Sequence, residues 1–199
     1  FTKRKLTEDE LAKKNIYSCP QTLFKIHPDF DQIIFNILEK DKKGIVYLIK
    51  DSNKVWYKKL IKRLSKNKKY DSKKIIFMDP LNYEDYLLHL GRSSVLLDPL
   101  YYGAGNSFFE SMLFGTPTIT FPTDYIKSRL VLGAYKQMEI KDPPIATSIQ
   151  NYIDLAVRYA NRDDIRALKN TYKTAAEKKL FNTKKAGEEF NKIINNLFN

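Results

Sequence analysis

Short apolar runs rich in β-branched residues alternate, over roughly the first 140 residues, with stretches of helical periodicity. The runs are NIYSCP, GIVYLIK, KIIFMD, SVLLDP and PTITFP. Between them apolar residues recur at helical spacing, as Phe30, Ile33, Ile34 and Ile37 do after Pro28. A strand that is always followed by a helix predicts a parallel sheet, and continuously apolar strands predict helices on both of its faces. We therefore expect an α/β, Rossmann-like domain.

The pattern changes to helices alone after the segment KDPP. We predict a lead-in segment over 1–14, a Rossmann-like domain over 15–145, and a C-terminal helical segment over 146–199 that packs on the same domain. The predicted C-terminal helices cover about 147–161, 163–178 and 183–197. Before them, the last strand is expected to lead into one helix over DYIKSRLVLGAYKQM.

The chain is strongly basic, with 35 Lys and Arg against 23 Asp and Glu, a formal charge of +12. Much of the excess lies between positions 54 and 74, which suits either a nucleic-acid surface or the solvated face of a helix. Tyr57, Leu60, Ile61 and Leu64 have the spacing of a buried helical stripe, and no aromatic residues interleave with the lysines as a stacking platform requires. We expect a solvated face and no nucleic-acid partner.

The remaining composition sets limits on the class of protein. A single cysteine, Cys19, excludes an internal disulfide and any cysteine-built metal site. No apolar run approaches the ~20 residues that span a bilayer, and the first residues contain no secretory apolar region. We expect a cytoplasmic protein without a membrane partner.

The segment DPLYYGAGNSFFESMLFGTP, residues 98–117, carries the functional signal. Asp98 ends a strand, so the loop after it lies at the carboxyl edge of the sheet, where ligands bind in open parallel sheets. Gly103 and Gly105 allow the backbone to approach a ligand closely. A helix that begins near Asn106 or Ser107 would present unpaired amides, and together with the loop it predicts a phosphate site.

The same residues allow a purely structural interpretation. Ser107 and Glu110 have the spacing of a capping box, in which their side chains satisfy the first helical amides without a ligand. A functional interpretation of Glu110 is also open. It stands one turn into the helix, where its carboxylate could accept hydrogen bonds from ribose hydroxyls. Gly115 is expected to end the helix.

These residues resemble those of a known family. NSFFESMLFGTPTITFP resembles the E-x-x-x-x-G-x-P segment of GT-B glycosyltransferases, with Glu110, Gly115 and Pro117 in place. YYGAGNSFFESMLFGTP and YSCPQTLFKIHPDFD together resemble the C-terminal half of the O-GlcNAc transferase / SPINDLY family, over about residues 15–140.

The resemblance implies a donor-binding half of a larger enzyme. Members of the family close two Rossmann-like halves over a nucleotide sugar, usually behind tetratricopeptide repeats, and invert the sugar carbon without a metal. We expect a UDP- or GDP-sugar donor, a Ser or Thr acceptor on a protein or peptide, and no cofactor. This half alone is expected to be inactive without the N-terminal half.

The resemblance also implies a set of site residues. The expected nucleotide-sugar site comprises Gln21, Lys25, Tyr86, Gly105, Asn106, Ser107 and Glu110. Lys25, the catalytic candidate, matches the family lysine that contacts the donor diphosphate, where a cation must stabilise the new negative charge when no metal does so. Gln21 is expected to contact the diphosphate or the sugar, or else to make a hydrogen bond within its loop.

The remaining members of the set would hold the other parts of the nucleotide. Asn106 and Ser107 match the phosphate-contacting helix start, and Glu110 matches the ribose-contacting acidic position. Tyr86 falls where the family places a ring that stacks on the base, although it could equally pack between helix and sheet.

Two departures from the family pattern leave the donor open. Gly105–Asn106–Ser107 stands where transferases of N-acetylglucosamine often have His-Thr-Thr, and CPQTLFKIHPDFD is nearer to the SPINDLY-like branch, some of whose members use a GDP-sugar. The alternatives are a sugar-nucleotide epimerase, a small-molecule GT-B glycosyltransferase and, from another class, a basic nucleic-acid-binding module.

Overall fold

The computed structural model describes residues 13–198, so the predicted lead-in segment 1–14 lies almost entirely outside the described residues. Five strands form one sheet with the order β3-β2-β1-β4-β5, and every neighbouring pair is parallel. The strands are β1 Asn15–Cys19, β2 Gly44–Ile49, β3 Ile75–Met78, β4 Val95–Leu97 and β5 Thr118–Ile119. The predicted parallel sheet is therefore confirmed, with each strand inside its predicted run.

Helices follow the strands along the described chain. They are α1 Pro28–Lys40, α2 Val55–Leu64, α3 Tyr83–Arg92, α4 Asn106–Met112, α5 Leu130–Gln137, α6 Ile149–Ala160, α7 Ile165–Lys179 and α8 Thr183–Phe198. Two short 3₁₀ helices, Leu23–Lys25 and Ile126–Ser128, lie in the loops after β1 and β5.

The helix starts follow from local side-chain chemistry. Pro28 occupies the first position of α1, and the ring of His27 accepts a hydrogen bond from the Asp29 amide at 3.2 Å. Asn82 caps α3 by accepting from the Asp85 amide at 2.8 Å, and Ser148 caps α6 in the same manner.

Helices cover both faces of the sheet, and two neighbouring residues of β1 show it. Successive strand residues point to opposite faces. On one face the hydroxyl of Tyr17 donates to Asp41, at the end of α1, at 2.6 Å. On the other face the hydroxyl of Ser18 pairs with the ring of His89, in α3, at 2.7 Å. The sheet thus has a helical layer on each side, as the apolar strands predict.

The lysine-rich helix α2 packs as its periodicity predicts. Leu60 and Leu64 are buried, whereas Lys58, Lys59 and Lys62 are exposed. On its inner side Arg63 makes two hydrogen bonds to the carboxylate of Asp31 and a third to the carbonyl of Ile26. These bonds tie α2 to α1 and to the loop that follows β1.

The single helix predicted over 124–138 is wrong. The structure has the 3₁₀ helix Ile126–Ser128 followed by α5, and Tyr125 before them has an extended backbone. The hydroxyl of Ser128 bonds with the hydroxyl of Thr123 at 2.6 Å and donates to the carbonyl of Tyr125 at 2.8 Å. Such side-chain bonds to the local backbone compete with helical ones, and the helix starts late because of them.

The C-terminal helices differ in how they pack. Helix α6 contacts α1 and strands β1, β4 and β5. Helix α7 contributes Lys169, whose ammonium donates to the carbonyls of Gly91 and Ser93 and so caps the end of α3. Helix α8 contains no buried residue, and its Phe190 and Ile193 are exposed. Helices α6 and α7 thus contribute buried side chains, whereas α8 contributes none.

Within residues 13–198 no helix has both the length and the apolar character needed to cross a membrane.

Candidate functional site

A cavity of about 400 Å³ opens at the carboxyl edge of the sheet, between the loops that follow β1 and β4. The strand order reverses direction between these two strands, which is where open parallel sheets bind their ligands. The lining residues are Pro20, Gln21, Thr22, Lys25, Tyr86, Tyr102, Gly103, Gly105, Asn106, Ser107, Glu110 and Leu130. The structure thus brings all seven sequence-predicted site residues to one cavity.

A polar bridge crosses the floor of this cavity. The ammonium of Lys25 donates to the side-chain oxygen of Gln21 at 2.9 Å, and the amide nitrogen of Gln21 donates to the hydroxyl of Ser107. Gln21 and Ser107 are both buried. The bridge joins the loop after β1 to the start of α4 and holds a cation, an amide and a hydroxyl in one row.

Lys25 is a partly buried cation with several partners. Its ammonium also donates to the carbonyl of Gly103 at 3.3 Å and lies 4.3 Å from the centre of the Tyr102 ring. Burial lowers the pKa of Lys25, and the nearby carboxyl group of Asp98 opposes that shift. An ammonium that is partly buried at the cavity can pair directly with an anionic ligand.

The start of α4 rules out the capping box. Gly105 is the N-cap residue and makes no side-chain cap. Ser107 is already the second residue of the helix, and it accepts from Gln21. Since α4 is only seven residues long, the ability of the site to bind an anion depends on Lys25 and the side chains around it rather than on the helix. Asn106 lies exposed on the wall of the cavity.

Glu110 and Tyr86 form a hydrogen-bonded pair that also lines the cavity. The hydroxyl of Tyr86 donates to Oε2 of Glu110 at 3.0 Å. Burial raises the pKa of Tyr86, and the carboxylate of Glu110 adds to the shift, so Tyr86 keeps its proton and its role as a donor. Tyr86 therefore does more than pack between helix and sheet, because its hydroxyl also binds Glu110 in the cavity.

Asp98 is a site residue that the sequence interpretation missed. It lies directly after β4 with its side chain buried, and its Oδ1 accepts from the Ala104 amide at 2.5 Å. Its Oδ2 accepts from the hydroxyl of Thr120 at 2.7 Å. Burial raises the pKa of Asp98 to about 7, against the opposing effects of these bonds and of Lys25. A strand-terminal Asp before a small-residue loop was the available signal.

Exposed aromatic rings form the rim of the cavity next to Lys25. Phe24 lies 6.1 Å from Trp56 and 6.4 Å from Tyr102, measured between ring centres. Lys59 lies over the ring of Trp56 at 4.6 Å. The three rings come from three separate loops or helices, so no local spacing indicates that they meet.

No group of three or more His, Cys, Asp or Glu residues within the described range is arranged to hold a metal ion. One Asp-x-Asp pair, Asp29 and Asp31, stands in the first turn of α1. Arg63 engages the carboxylate of Asp31, and Asp29 accepts from the hydroxyl of Tyr101 at 2.8 Å. These two carboxylates are therefore committed to partners within the protein.

The family model described as glycosyl transferase family 41 matches residues 3–190 of the sequence. The match covers nearly the whole chain. The chain belongs to glycosyl transferase family 41.

Solved structures with the same fold agree with this assignment. An O-GlcNAc transferase mutant from Thermobaculum terrenum superimposes with a TM-score of 0.73 at 18% identity, covering 83% of this chain and 32% of that one. The pneumococcal O-GlcNAc transferase GtfA, in complex with UDP and GlcNAc, gives a TM-score of 0.60 at 15% identity, over 94% and 36%. This family 41 chain thus spans about a third of their length and has the Rossmann-like fold of GT-B glycosyltransferases.

A third neighbour is of similar size to the chain itself. The C-terminal CMP-Kdo binding domain of WaaA from Acinetobacter baumannii gives a TM-score of 0.55 at 14% identity, covering 83% of this chain and 90% of that one. A comparison with curated proteins gave no match.

Proposed function

We propose that this family 41 chain binds the nucleotide-sugar donor for an inverting, metal-independent transfer of a sugar to Ser or Thr of a protein. The observation that carries the proposal is the single cavity that unites Lys25, Gln21 and Ser107 with Glu110 at the switch point of the sheet. Switch points of this kind bind nucleotides in open α/β sheets.

The diphosphate end of the donor fits the bridge on the cavity floor. Transfer of the sugar leaves a diphosphate with additional negative charge, and a preorganised cation stabilises that charge most where water is scarce. Lys25 is the cation at this place, and Gln21 and Ser107 add donors beside it. A bound phosphate oxygen would replace the side-chain oxygen of Gln21 as the partner of the ammonium.

The nucleoside end fits the wall formed by Glu110 and Tyr86. The Tyr86 hydroxyl occupies one carboxylate oxygen of Glu110 and orients the group. The carboxylate would accept hydrogen bonds from the ribose hydroxyls, and the ring of Tyr86 offers an apolar surface beside them. The bound UDP of the pneumococcal O-GlcNAc transferase GtfA supports a nucleotide in a fold of this kind.

The transfer itself is proposed for the whole enzyme. Because the chain spans about a third of the two O-GlcNAc transferases it resembles, the acceptor site and any general base are expected on other parts of the protein. In the full-length protein, NMR of the product's anomeric configuration would test inversion, and mass spectrometry would test for a modified Ser or Thr. Retention of the configuration would contradict the inverting mechanism.

Calorimetry with UDP and GDP, in the presence and absence of a chelator, tests donor binding by the chain. We expect binding that survives the chelator, with Lys25→Ala weakening it by about 1.5–3 kcal/mol, the range for hydrogen bonds to charged groups. Lys62→Ala, on the solvated face of α2, is the matched control and should bind like the wild type. Strict dependence on Mg²⁺ or Mn²⁺ would contradict the metal-independent mechanism. A loss of under about 0.5 kcal/mol would remove Lys25 from the site.

A further inference from the structure

The carboxylate of Asp98 anchors the small-residue loop from below. One oxygen accepts from the Ala104 amide at 2.5 Å and the other accepts from the hydroxyl of Thr120, just after β5, at 2.7 Å. The backbone carbonyl of Asp98 accepts from the hydroxyl of Tyr152, in α6, at 2.9 Å. Asp98 is therefore held from the end of the neighbouring strand β5 and by helix α6, and its carboxylate in turn holds the loop.

The loop packs closely on this carboxylate, so a side chain at position 103 would press on it. A Cβ atom added to Gly103 would lie 3.0 Å from both carboxylate oxygens of Asp98. The amide of Gly103 is held at the same time by the carbonyl of Lys127 at 2.9 Å. Contacts on two sides thus fix the peptide groups of Gly103 and Ala104.

The fixed loop in turn holds the cation of the cavity. The Gly103 carbonyl accepts from the ammonium of Lys25 at 3.3 Å, and the Gln21 side chain is the second oxygen partner of that ammonium. If the loop moved, Lys25 would lose one of the two oxygen atoms that define its position.

We propose that Asp98 is a positioning residue of the donor site: it fixes the Gly103–Ala104 backbone and, through the Gly103 carbonyl, places the ammonium of Lys25 for the diphosphate. The proposal rests on the proposed function, since that function gives Lys25 its ligand. Asp98 itself lies beneath the loop and is not among the residues that line the cavity.

Two substitutions separate anchoring from charge. In Asp98→Asn the amide oxygen can still accept from the Ala104 amide, while the negative charge that the ionised form of Asp98 places near Lys25 is lost. In Asp98→Ala both the charge and the acceptor are lost, and the Ala104 amide is left without a partner. A positioning role predicts that Asn rescues most of what Ala loses, whereas a purely electrostatic role predicts that both variants behave alike.

The first experiment measures the position of Lys25 without any ligand. In protein with isotope-labelled lysine, the NMR signal of the Lys25 ammonium, assigned by its loss in Lys25→Met, should shift strongly in Asp98→Ala and little in Asp98→Asn. Asp41→Ala is the matched control, because Asp41 is a buried carboxylate that accepts from Tyr17 and Asn15 at the opposite edge of the sheet. Equal shifts in both Asp98 variants, or no shift in either, would overturn the proposal.

The second experiment measures the affinity for UDP and GDP. Asp98→Ala should weaken binding by about tenfold, as the loss of a buried hydrogen bond predicts, while Asp98→Asn should stay within about threefold of the wild type. Gly103→Ala alters the same contact from the side of the loop and should resemble Asp98→Ala even if that variant folds poorly. A wild type that binds neither nucleotide would refute the proposed function instead, and the signal of Lys25 would still report on Asp98. Wild-type affinity in both Asp98→Ala and Gly103→Ala would overturn the positioning role.

Discussion

At the scale of single residues, the polar groups on the floor of the cavity satisfy one another. Gln21 lies between a cation and a hydroxyl, accepting from Lys25 and donating to Ser107. Because buried donors and acceptors without partners are costly, these mutual bonds stabilise the floor of the cavity. If a diphosphate binds here as we propose, it competes with these bonds, and we expect its affinity to depend on charge more than on the number of contacts.

Glu110 and Tyr86 allow a test of the nucleoside end of the site. If Glu110 accepts from the ribose, Glu110→Gln should weaken UDP or GDP binding by about 1–3 kcal/mol and leave the affinity for inorganic pyrophosphate unchanged. Tyr86→Phe keeps the ring and should lose less, whereas Tyr86→Ala should lose the contact with the base as well. Calorimetry with nucleotide and pyrophosphate distinguishes these cases. Equal weakening of both ligands by Glu110→Gln would instead point to a disturbed helix start.

The raised pKa of Asp98 predicts a dependence of stability on pH. The folded protein holds the proton of Asp98 up to a pKa of about 7, well above the ordinary value for Asp. The tighter binding of this proton in the folded state adds to the free energy of unfolding. That contribution is complete near pH 4 and is lost as the pH rises towards 7, with a slope of at most about 1.4 kcal/mol per pH unit. Asp98→Asn, which cannot ionise, should therefore become more stable relative to the wild type over this interval in urea unfolding.

Asp41 provides a comparison with the opposite sign. Burial opposes ionisation there, but the hydrogen bonds from Tyr17 and Asn15 and the backbone amide of Lys43 outweigh it and lower the pKa of Asp41. Its stabilisation is present above the ordinary pKa of Asp and is lost as the pH falls below that value. The free energy of unfolding of Asp41→Asn should thus approach that of the wild type as the pH falls. If the stabilities of Asp41→Asn and Asp98→Asn, each relative to the wild type, changed with pH in the same direction, both assignments would be contradicted.

At the scale of elements, the periodicity of the sequence predicts the strands and helices, but it does not predict the side-chain contacts between different elements. The strands and α1 to α4 follow from the apolar spacing and the Pro28 signal, and the site residues follow because strand ends share one edge of the sheet. The pair Tyr86–Glu110 and the role of Asp98 could not be read from spacing, because the partners belong to different elements. The break before α5 depends on bonds of the Ser128 side chain that no hydrophobic pattern encodes.

The turn after α4 offers a test of how closely the C-terminal helices pack. Gly115 has a φ of 66°, and a Cβ atom there would lie 1.8 Å from the carbonyl oxygen of Lys169, in α7. Gly115→Ala should lower the free energy of unfolding by about 3 kcal/mol or more, since it combines a strained conformation with a backbone clash. Gly133→Ala, in α5 with no atom within 4 Å of the added carbon, is the control and should stabilise the protein by about 0.5–1 kcal/mol. If Gly115→Ala left the free energy of unfolding almost unchanged, α7 would have to be free to move away from the turn after α4.

At the scale of the whole molecule, the charge of +12 raises the question of where anions bind. The lysines of α2 are exposed along one face of that helix, whereas the cation of the cavity, Lys25, is partly buried and held by oxygen partners. A spread of solvated charges attracts any polyanion weakly and loses it with salt, because binding depends on counterion release. A single held cation selects a small anion whose shape fits the cavity.

The two modes of anion binding are separable by salt dependence and by substitution. For UDP or GDP, which carry no condensed counterions, we expect only a shallow decrease of the binding constant with salt, caused by screening of the charge on Lys25. Lys25→Ala should weaken this binding by about 1.5–3 kcal/mol, and the triple variant Lys58→Glu, Lys62→Glu and Lys66→Glu should leave it within about twofold, since these side chains lie outside the cavity. An oligonucleotide should bind only at low salt, with a slope steeper than about −3, and should respond to the triple variant alone. Tight oligonucleotide binding at physiological salt, abolished by the triple variant and insensitive to nucleoside diphosphate, would instead identify the lysine face as a nucleic-acid surface.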